Sequence, residues 1–172
     1  MARLENLLGA YSLTVTDRVL DDPADGLSAT DRASLVTLLA HPDRPVSWLG
    51  GVLGLTSSGA TRLVDRLVRA GWATRTASGD SRERLLRLTA SGKRRARRAL
   101  RDRDDVLTES VAGLTKVERA DLERLMERLV NGLASTRLPA LKTCRLCDRT
   151  ACASGNHPCP LDHTVRTGDP FD

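Results

Sequence analysis

The segment TSSGATRLVDRLVRAGW, residues 56–72, constrains the fold of this chain more than any other stretch. Thr56 is a residue type that caps helix N-termini, and Gly71 is the residue type that most often ends helices. Between them, Leu63 and Leu67 share one helical face with a neighbouring valine. The opposite face carries small polar residues and charges: Ser57, Ser58, Thr61, Arg62, Asp65, Arg66 and Arg69. The pattern predicts a short helix with one buried face and one exposed, basic face.

A second short helix is predicted before this segment, and two strands are predicted after it. Ser47 can cap a helix that runs to Leu53 and ends at Gly54. Residues 72–76 and 84–88 read as strands joined by a turn at 78–80. Two helices, a tight turn and a hairpin make a winged helix-turn-helix, whose second helix fits the DNA major groove. An arginine at the wing tip suits the minor groove.

Helices are also predicted on both sides of this unit. Apolar spacing indicates a helix over 4–20, and Ser28 or Thr30 can cap the next one. A long charged helix is expected over 93–110. Thr115 and Glu118 form a capping box before a last helix, and Pro139 is expected to close this helical region. The predicted fold is mainly α with a small β-hairpin wing. The terminal helices carry more apolar surface than a small winged helix covers, so we expect a partner, most simply a second copy.

The charge is concentrated in one part of the chain. Residues 41–103 hold 15 of the 27 basic residues and only 5 of the 22 acidic ones. Such a block favours a polyanion such as nucleic acid, although a solvated surface is the plainer explanation. Aromatic residues are scarce, namely Tyr11, Trp48, Trp72 and Phe171. Because single-strand binding uses several stacked aromatics, duplex DNA is the better expectation.

With these residues placed, the chain resembles the MarR family of bacterial winged-helix transcription regulators. The resemblance rests on TSSGATRLVDRLVRAGWATR followed by GDSRERLLRLTASG, and it covers residues 4–136. The family's wing pattern is matched by Asp80, Arg82, Leu88, Thr89 and Gly92. The resemblance implies a homodimer built from the first and last helices and an operator that is an inverted repeat. It divides the chain into a dimerisation helix (1–27), a DNA-binding domain (28–92), dimerisation helices (93–138) and an added tail (139–172).

The resemblance also implies which residues contact DNA. The recognition helix would use Ser57, Ser58, Thr61, Arg62 and Arg66, and the wing would use Asp80, Arg82 and Arg84. Arg82 would enter the minor groove, and Asp80 would brace the wing or serve as a plain turn residue. Family members often bind small aromatic acids or phenols, so a small-molecule effector is expected, although no site for it can be placed in this sequence.

All four cysteines lie near the C-terminus, at Cys144, Cys147, Cys152 and Cys159, in the spacing C-x2-C-x4-C-x6-C. Four thiolates can close a tetrahedral zinc site or hold an iron–sulfur cluster. A thiol–disulfide switch and a tail with unligated thiols are the alternatives. The sequence therefore leaves zinc, iron–sulfur and no cofactor open.

The leading functional hypothesis is a transcription regulator, with repression as the expected direction, that responds to a ligand, a metal or redox state. An enzyme is not expected, since the three histidines form no Ser/His/Asp set at a recognisable spacing. The alternative is an adaptor or redox sensor whose tail recruits another protein. No apolar run is long enough for a membrane helix and no signal peptide is evident, so a cytoplasmic protein without membrane contact is expected.

Overall fold

The computed structural model describes residues 2–20, 26–78, 81–154 and 157–171, and it is mainly helical, as predicted. The elements in chain order are α1 (Arg3–Leu20), α2 (Ala29–Ala40), β1 (Arg44–Pro45), α3 (Val46–Leu53), α4 (Ser57–Arg69), β2 (Ala73–Ser78), β3 (Ser81–Leu88), α5 (Ala90–Ser110), α6 (Lys116–Asn131), α7 (Arg137–Thr143), α8 (Arg149–Cys152) and a 3-10 turn (Asp162–Thr164). Within these ranges, no helix is both long enough and apolar enough to cross a membrane.

The wing is an antiparallel hairpin with one extra strand. Strand β3 lies between β1 and β2, with Ala73 opposite Leu88 and Thr76 opposite Leu85. The hairpin confirms the predicted wing. The two-residue strand β1 was not predicted, and its Pro45 is tolerated because it lies on an edge strand.

Most predicted helix starts are confirmed by their hydrogen bonds. The Thr56 hydroxyl accepts from the Gly59 amide, and Thr115 and Glu118 cap α6 reciprocally. At α2 the cap is Ser28, which was one of the two residues expected there. Helix α5 begins at Ala90 after a Thr89 cap, so it is longer at its N-terminus than predicted.

Two local predictions were wrong. Ser47 does not cap α3, because the helix already begins at Val46 and Pro45 stands at the cap position without a side-chain bond. Pro139 does not close the helical region, because it lies in the first turn of α7. The first turn of a helix tolerates proline since its amides have no intrahelical acceptor.

The main core lies where α2, α3 and α4 pack against the sheet and α5. Leu35, Leu49, Val64, Leu67 and Leu86 are fully buried there. Helices α3 and α4 approach closely, since a Cβ added to Gly50 would stand 2.9 Å from the Ala60 Cβ. Between them, Gly54 turns the chain with a φ of 68°. These small residues set the separation of the two helices of the helix-turn-helix.

Helices α1 and α6 bury none of their residues within one chain. Helix α1 packs beside α5, where the Tyr11 hydroxyl donates to the Ser110 hydroxyl and Arg18 pairs with Glu109. The large apolar side chains left exposed on the two helices are Leu4, Leu7, Leu8, Tyr11, Leu13, Val117, Leu125, Met126 and Leu129, and Leu133 is exposed just after α6. The apolar excess predicted for the terminal helices is therefore present on the surface of the single chain.

The C-terminal part, 137–171 without the undescribed 155–156, is here called the cysteine segment. It is built into the body of the protein rather than being separate from it. Leu141 belongs to the main core, and the Phe171 ring packs on Trp48 and beside Gly51. The Trp48 indole N–H also donates to the Phe171 carbonyl oxygen at 3.3 Å. The last described residue thus contacts the first helix of the helix-turn-helix.

Candidate nucleic-acid interface

Helix α4 presents one continuous polar face to solvent. Ser57, Ser58, Thr61 and Arg62 are all exposed on its N-terminal half. The opposite face is buried through Ala60, Leu63, Val64 and Leu67. A helix of 13 residues is about 20 Å long, which is enough to lie along several base pairs. The predicted division of this helix into a core face and an open face is confirmed.

The N-terminus of α4 is suited to bind an anion. The first amides of any helix lack intrahelical acceptors, and the helix dipole makes this end positive. Thr56 satisfies only the Gly59 amide, at 3.2 Å. Ser57 and Ser58 are exposed beside it, so a phosphate oxygen could approach the first turn.

Arg66 lies on the same helix, but it is bound to the protein itself. Its Nε and Nη2 atoms donate to Asp31 Oδ1 at 3.0 and 2.7 Å. Asp31 is buried, and its Oδ2 accepts from the Ser28 amide and hydroxyl at 3.1 and 2.6 Å. One carboxylate therefore caps α2 and fastens α4 to it. Sequence reasoning missed this pair, although Ser28 and Asp31 have the spacing of a capping box.

The arginines of the basic block fall into two groups. Arg75 pairs with Asp65 at 2.5 Å, and Arg87 binds Asp43 through two nitrogens at 2.9 and 2.5 Å. The Arg87 hydrogen bonds hold the pKa of Asp43 below its ordinary value. By contrast, Arg62, Arg69 and Arg84 are exposed and form no ion pair with any described residue. Open charges therefore lie on α4 and the wing, and exposed cations with no ion pair to a described residue also lie on α5, at Lys93, Arg94, Arg97 and Arg101.

The wing residues predicted to contact DNA are only partly described. Arg84 is exposed on β3 opposite Ala77. The backbone of Arg82 belongs to β3, close to the hairpin turn. Asp80 lies outside the described residues, so its predicted bracing role stays a prediction.

The junction between the wing and α5 is tightly fixed. The Thr89 hydroxyl donates to the Gly71 carbonyl at 2.7 Å, and the Thr89 amide donates to the Trp72 carbonyl at 3.0 Å. A Cβ on Gly92 would stand only 2.0 Å from that same Trp72 oxygen. Arg95 stacks over the Trp72 ring at 4.5 Å. The wing and the end of α4 are thereby held in one orientation.

The four cysteines lie around one cavity of about 80 Å³ in the cysteine segment. The Sγ atoms of Cys152 and Cys159 are 4.0 Å apart, and Cys144 and Cys147 hydrogen-bond through their side chains. That hydrogen bond, helped by Arg103, Arg145 and Arg149, lowers the pKa of Cys147 to about 6. The same hydrogen bond, together with burial, raises the pKa of Cys144. For Cys152, burial is the main cause that raises the pKa to about 11.

The thiols stand as two pairs. In the described part of the chain, no group of three or more His, Cys, Asp or Glu side chains is arranged to hold a single metal ion. The two histidines near the cysteines point elsewhere: His157 lies 3.8 Å from Glu127, and His163 Nε2 lies 3.0 Å from the Ala134 carbonyl oxygen. His163 and Asn131, which donates to the Pro160 carbonyl, fasten the segment to the end of α6.

Comparison with known proteins agrees with this architecture. The model of the MarR family matches residues 25–83, which include α2 to α4 and the first strand of the wing hairpin. The transcriptional repressor MprA of Escherichia coli K12 is 30% identical over 113 residues, covering 64% of this chain and 64% of its own. The resemblance to the MarR family seen in the sequence is confirmed by these matches, although the alignment spans less than two thirds of these curated relatives.

Solved structures of MarR-family proteins match a larger share of this chain than the curated relatives do. The apo wild-type MarR of E. coli has a TM-score of 0.60 and 27% identity, covering 75% of this chain and 98% of that one. A MarR-family protein of Mycobacterium tuberculosis in complex with salicylic acid has a TM-score of 0.59 and 25% identity, and the match covers 75% of this chain and 97% of that one. The helical body and the wing of this chain are thus those of a MarR-family winged helix.

Proposed function

We propose that this protein is a DNA-binding transcription regulator, acting as a repressor, that binds an inverted-repeat operator as a homodimer. The observation that carries the proposal is the exposed face of α4, where Ser57, Ser58, Thr61 and Arg62 stand together on a helix anchored through Arg66. The repressor name of the E. coli relative MprA supports the direction of regulation.

In this proposal α4 lies in the major groove with its N-terminal half against the base edges. Arg62 has no ion-pair partner among the described residues, so its guanidinium can donate two hydrogen bonds to a guanine. Ser57 and Ser58, with the first amides of the helix, bind a backbone phosphate and fix its register. Arg82 and Arg84 follow the wing toward the adjacent minor groove.

Arg66 serves this interface mainly by position. Its Nε and Nη2 atoms are bound to Asp31, and its side chain is 49% exposed. The Asp31 pair holds α4 against α2, so that the contact residues meet the groove without a prior rearrangement. Arg66 is therefore a positioning residue that can at most add a phosphate contact through its remaining N–H groups.

The dimer is proposed from the two helices that bury nothing within one chain. Leu7 and Leu8 on α1 are about half exposed, and Leu129 on α6 and Leu133 just after it are more than half exposed. A second copy that covers both faces removes this apolar surface from water, at about 25 cal/mol for each Å². Two-fold symmetry then presents two α4 helices to half-sites roughly 34–36 Å apart, one turn of B-DNA.

A duplex selection experiment tests the function as a whole. Purified protein is incubated with random duplexes, and the bound fraction is amplified and sequenced over several rounds. We expect an inverted repeat, bound by two chains per duplex as measured by mass photometry. Recovery of no enriched sequence, or of a site bound by one chain, would contradict the proposal.

An effector response is a separate part of the proposal, supported by the salicylic acid complex of the M. tuberculosis relative. A crevice of about 160 Å³ between the end of α1, α2 and α3 offers one cation to a small carboxylate; its lining is Leu20, Ala29, Thr30, Ala33, Leu53, Arg145 and Leu146. Salicylate should weaken operator binding in a fluorescence-anisotropy titration, and Arg145→Ala should reduce that effect. If salicylate left the operator affinity unchanged in this titration, the proposed effector response would be rejected.

A further inference from the structure

We propose that Cys144, Cys147, Cys152 and Cys159 are the ligands of one thiolate-bound metal centre, a zinc ion or an iron–sulfur cluster, which fastens the cysteine segment to the body. The ligands come from different places in the fold. Cys144 follows α7, Cys147 lies in the next turn, Cys152 ends α8, and Cys159 precedes the 3-10 turn. All four nevertheless line the same cavity of about 80 Å³.

The spacing within the pairs fits metal ligation. Two thiolates bound to one zinc or iron at about 2.3 Å in tetrahedral geometry have sulfurs about 3.8 Å apart. The observed separation between the Cys152 and Cys159 sulfurs is 4.0 Å. Cys144 and Cys147 contact each other through a side-chain hydrogen bond, and the Cys147 amide donates to the Cys144 carbonyl at 3.0 Å. The Cys152–Cys159 pair is therefore already close to the separation that a shared metal imposes, and Cys144 and Cys147 are in side-chain contact.

The arrangement of the pairs distinguishes two ways of binding. No three of the described ligand-type side chains are placed for a single ion, so one zinc requires the two pairs to draw together around the cavity. An iron–sulfur cluster with two irons would take one pair to each iron. In both cases coordination forms four metal–sulfur bonds and releases the thiol protons to solvent.

The surroundings favour a centre with negative charge. Four thiolates around a divalent zinc carry a net charge of about −2. Arg137, whose side chain is 8% exposed, and Arg149 line the same cavity. Asp162 also lines it, but one of its carboxylate oxygens accepts from the Cys159 amide at 3.1 Å and so orders that ligand loop. Soft thiolates in a basic setting select zinc or iron–sulfur over magnesium or calcium.

The local core explains why a metal is needed. Among the described residues, the buried cluster at the segment consists of Ala140 and Leu161 together with Ala134 just before it, with Val130, Cys144 and Cys159 packed against it. Such a small apolar cluster stabilises a loop-rich segment poorly, and natural proteins commonly add a metal or disulfides in this situation. The proposal concerns a different part of the chain from the DNA-binding face and does not depend on it.

Metal analysis of the full-length protein tests the proposal. The protein is purified without oxygen, and its zinc, iron and acid-labile sulfide are measured together with its visible spectrum. About one zinc per chain in a colourless protein supports the ion. Iron with an equal amount of sulfide and visible absorption supports the cluster. Less than about one tenth of a metal per chain, both as purified and after zinc titration and dialysis, overturns the proposal.

Matched variants show whether these residues hold the metal. Cys152 is exposed, so Cys152→Ser changes no buried packing, and Ser154→Ala, two residues away and also exposed, is its control. We expect the metal content to fall at least about ten-fold in Cys152→Ser and to stay at the wild-type level in Ser154→Ala. Far-UV circular dichroism confirms that both variants fold. Undiminished metal in Cys152→Ser, or two disulfides in place of free thiols by mass spectrometry, would also overturn the proposal.

Discussion

The winged domain and the cysteine segment are held together in different ways. The winged domain places α4 by burying Leu63, Val64 and Leu67 against a large core, and it adds the Asp31–Arg66 pair as a polar fastener. The cysteine segment has a small core of its own and reaches the large one through Leu141 and Phe171. The difference teaches that the exposed face of α4 rests on the large core and a polar pair, whereas the cysteine segment has few buried side chains of its own to hold its shape. Four substitutions break or sharpen this comparison.

Gly92→Ala should have the largest effect because it strikes the winged domain at its most crowded backbone contact. The added Cβ would meet the Trp72 carbonyl at 2.0 Å, and neither backbone segment can move without disturbing the wing or α5. We expect a loss of about 3 kcal/mol or more in the free energy of unfolding, measured by urea denaturation. Gly113→Ala, where no atom lies within 4 Å, is the control and should change stability by less than about 0.5 kcal/mol.

Asp31→Ala should have the next largest effect, since it removes the ion pair with Arg66 that holds α4 against α2. The variant loses the cap on Ser28 and leaves Arg66 without its partner. Because Asp31 is buried and accepts four hydrogen bonds, we expect a loss of about 2–3 kcal/mol, again by urea denaturation. Asp121→Ala, an exposed residue paired with Arg124, should cost less than about 0.5 kcal/mol. An equal loss of unfolding free energy in both variants would show that the Asp31–Arg66 pair does not stabilise the packing of α4 on α2.

Phe171→Ala tests whether the cysteine segment is joined to the winged domain. The half-buried ring packs on Trp48 and beside Gly51, so its removal should cost about 1–2 kcal/mol and should increase hydrogen exchange in α3. Val165→Ala, on an exposed part of the same segment, is the control. If Phe171→Ala left both stability and exchange at the control level, the segment would be an appendage.

Acidification should give the smallest effect. It acts on the hydrogen bond between Arg149 and His41, which is a second contact between the cysteine segment and the winged domain. Arg149 Nη1 donates to His41 Nε2 at 2.9 Å, and burial, followed by the charges of Arg149, Arg137 and Arg44, lowers the pKa of His41 to about 4. The unfolded state, with a pKa near 6.5, binds the proton more readily, so stability falls as the pH drops from about 6.5 to 4. Solvent screening reduces the effect to about 1 kcal/mol.

His41→Gln checks the origin of that pH dependence. Glutamine keeps an acceptor for Arg149 but does not titrate, so the free energy of unfolding should lose the His41 part of its slope between pH 4 and 6.5. Urea denaturation at four pH values gives this slope for both proteins. An unchanged slope would assign the effect to other groups.

Much of the winged domain could be predicted because its signals are local. Apolar spacing in α4, the Thr56 and Thr115 caps and the turn residues of the wing each depend on a few neighbouring residues. The Asp31–Arg66 pair could not be predicted, because it joins residues 35 positions apart whose individual patterns indicate only a cap and an exposed helix face. For the same reason Arg66 was assigned to DNA alone.

The cysteine segment was the least predictable part. The cysteine spacing indicated a metal site, but nothing in it showed that Leu141 and Phe171 enter the main core. Pro139 was misleading, since a proline ends a helix in most positions and is tolerated in a first turn only. Where Ser47 was expected to cap α3, the edge strand at Arg44–Pro45 set the helix start instead.

The most direct test of the account compares Arg62 with Arg66 in binding the selected operator. Fluorescence anisotropy gives the Kd of Arg62→Ala and Arg66→Ala at several salt concentrations, with urea denaturation of each. We expect Arg62→Ala to weaken binding at least about ten-fold at unchanged stability, and Arg66→Ala to lose stability together with affinity. Wild-type operator affinity in a folded Arg62→Ala protein would contradict the central claim that the open face of α4 reads DNA.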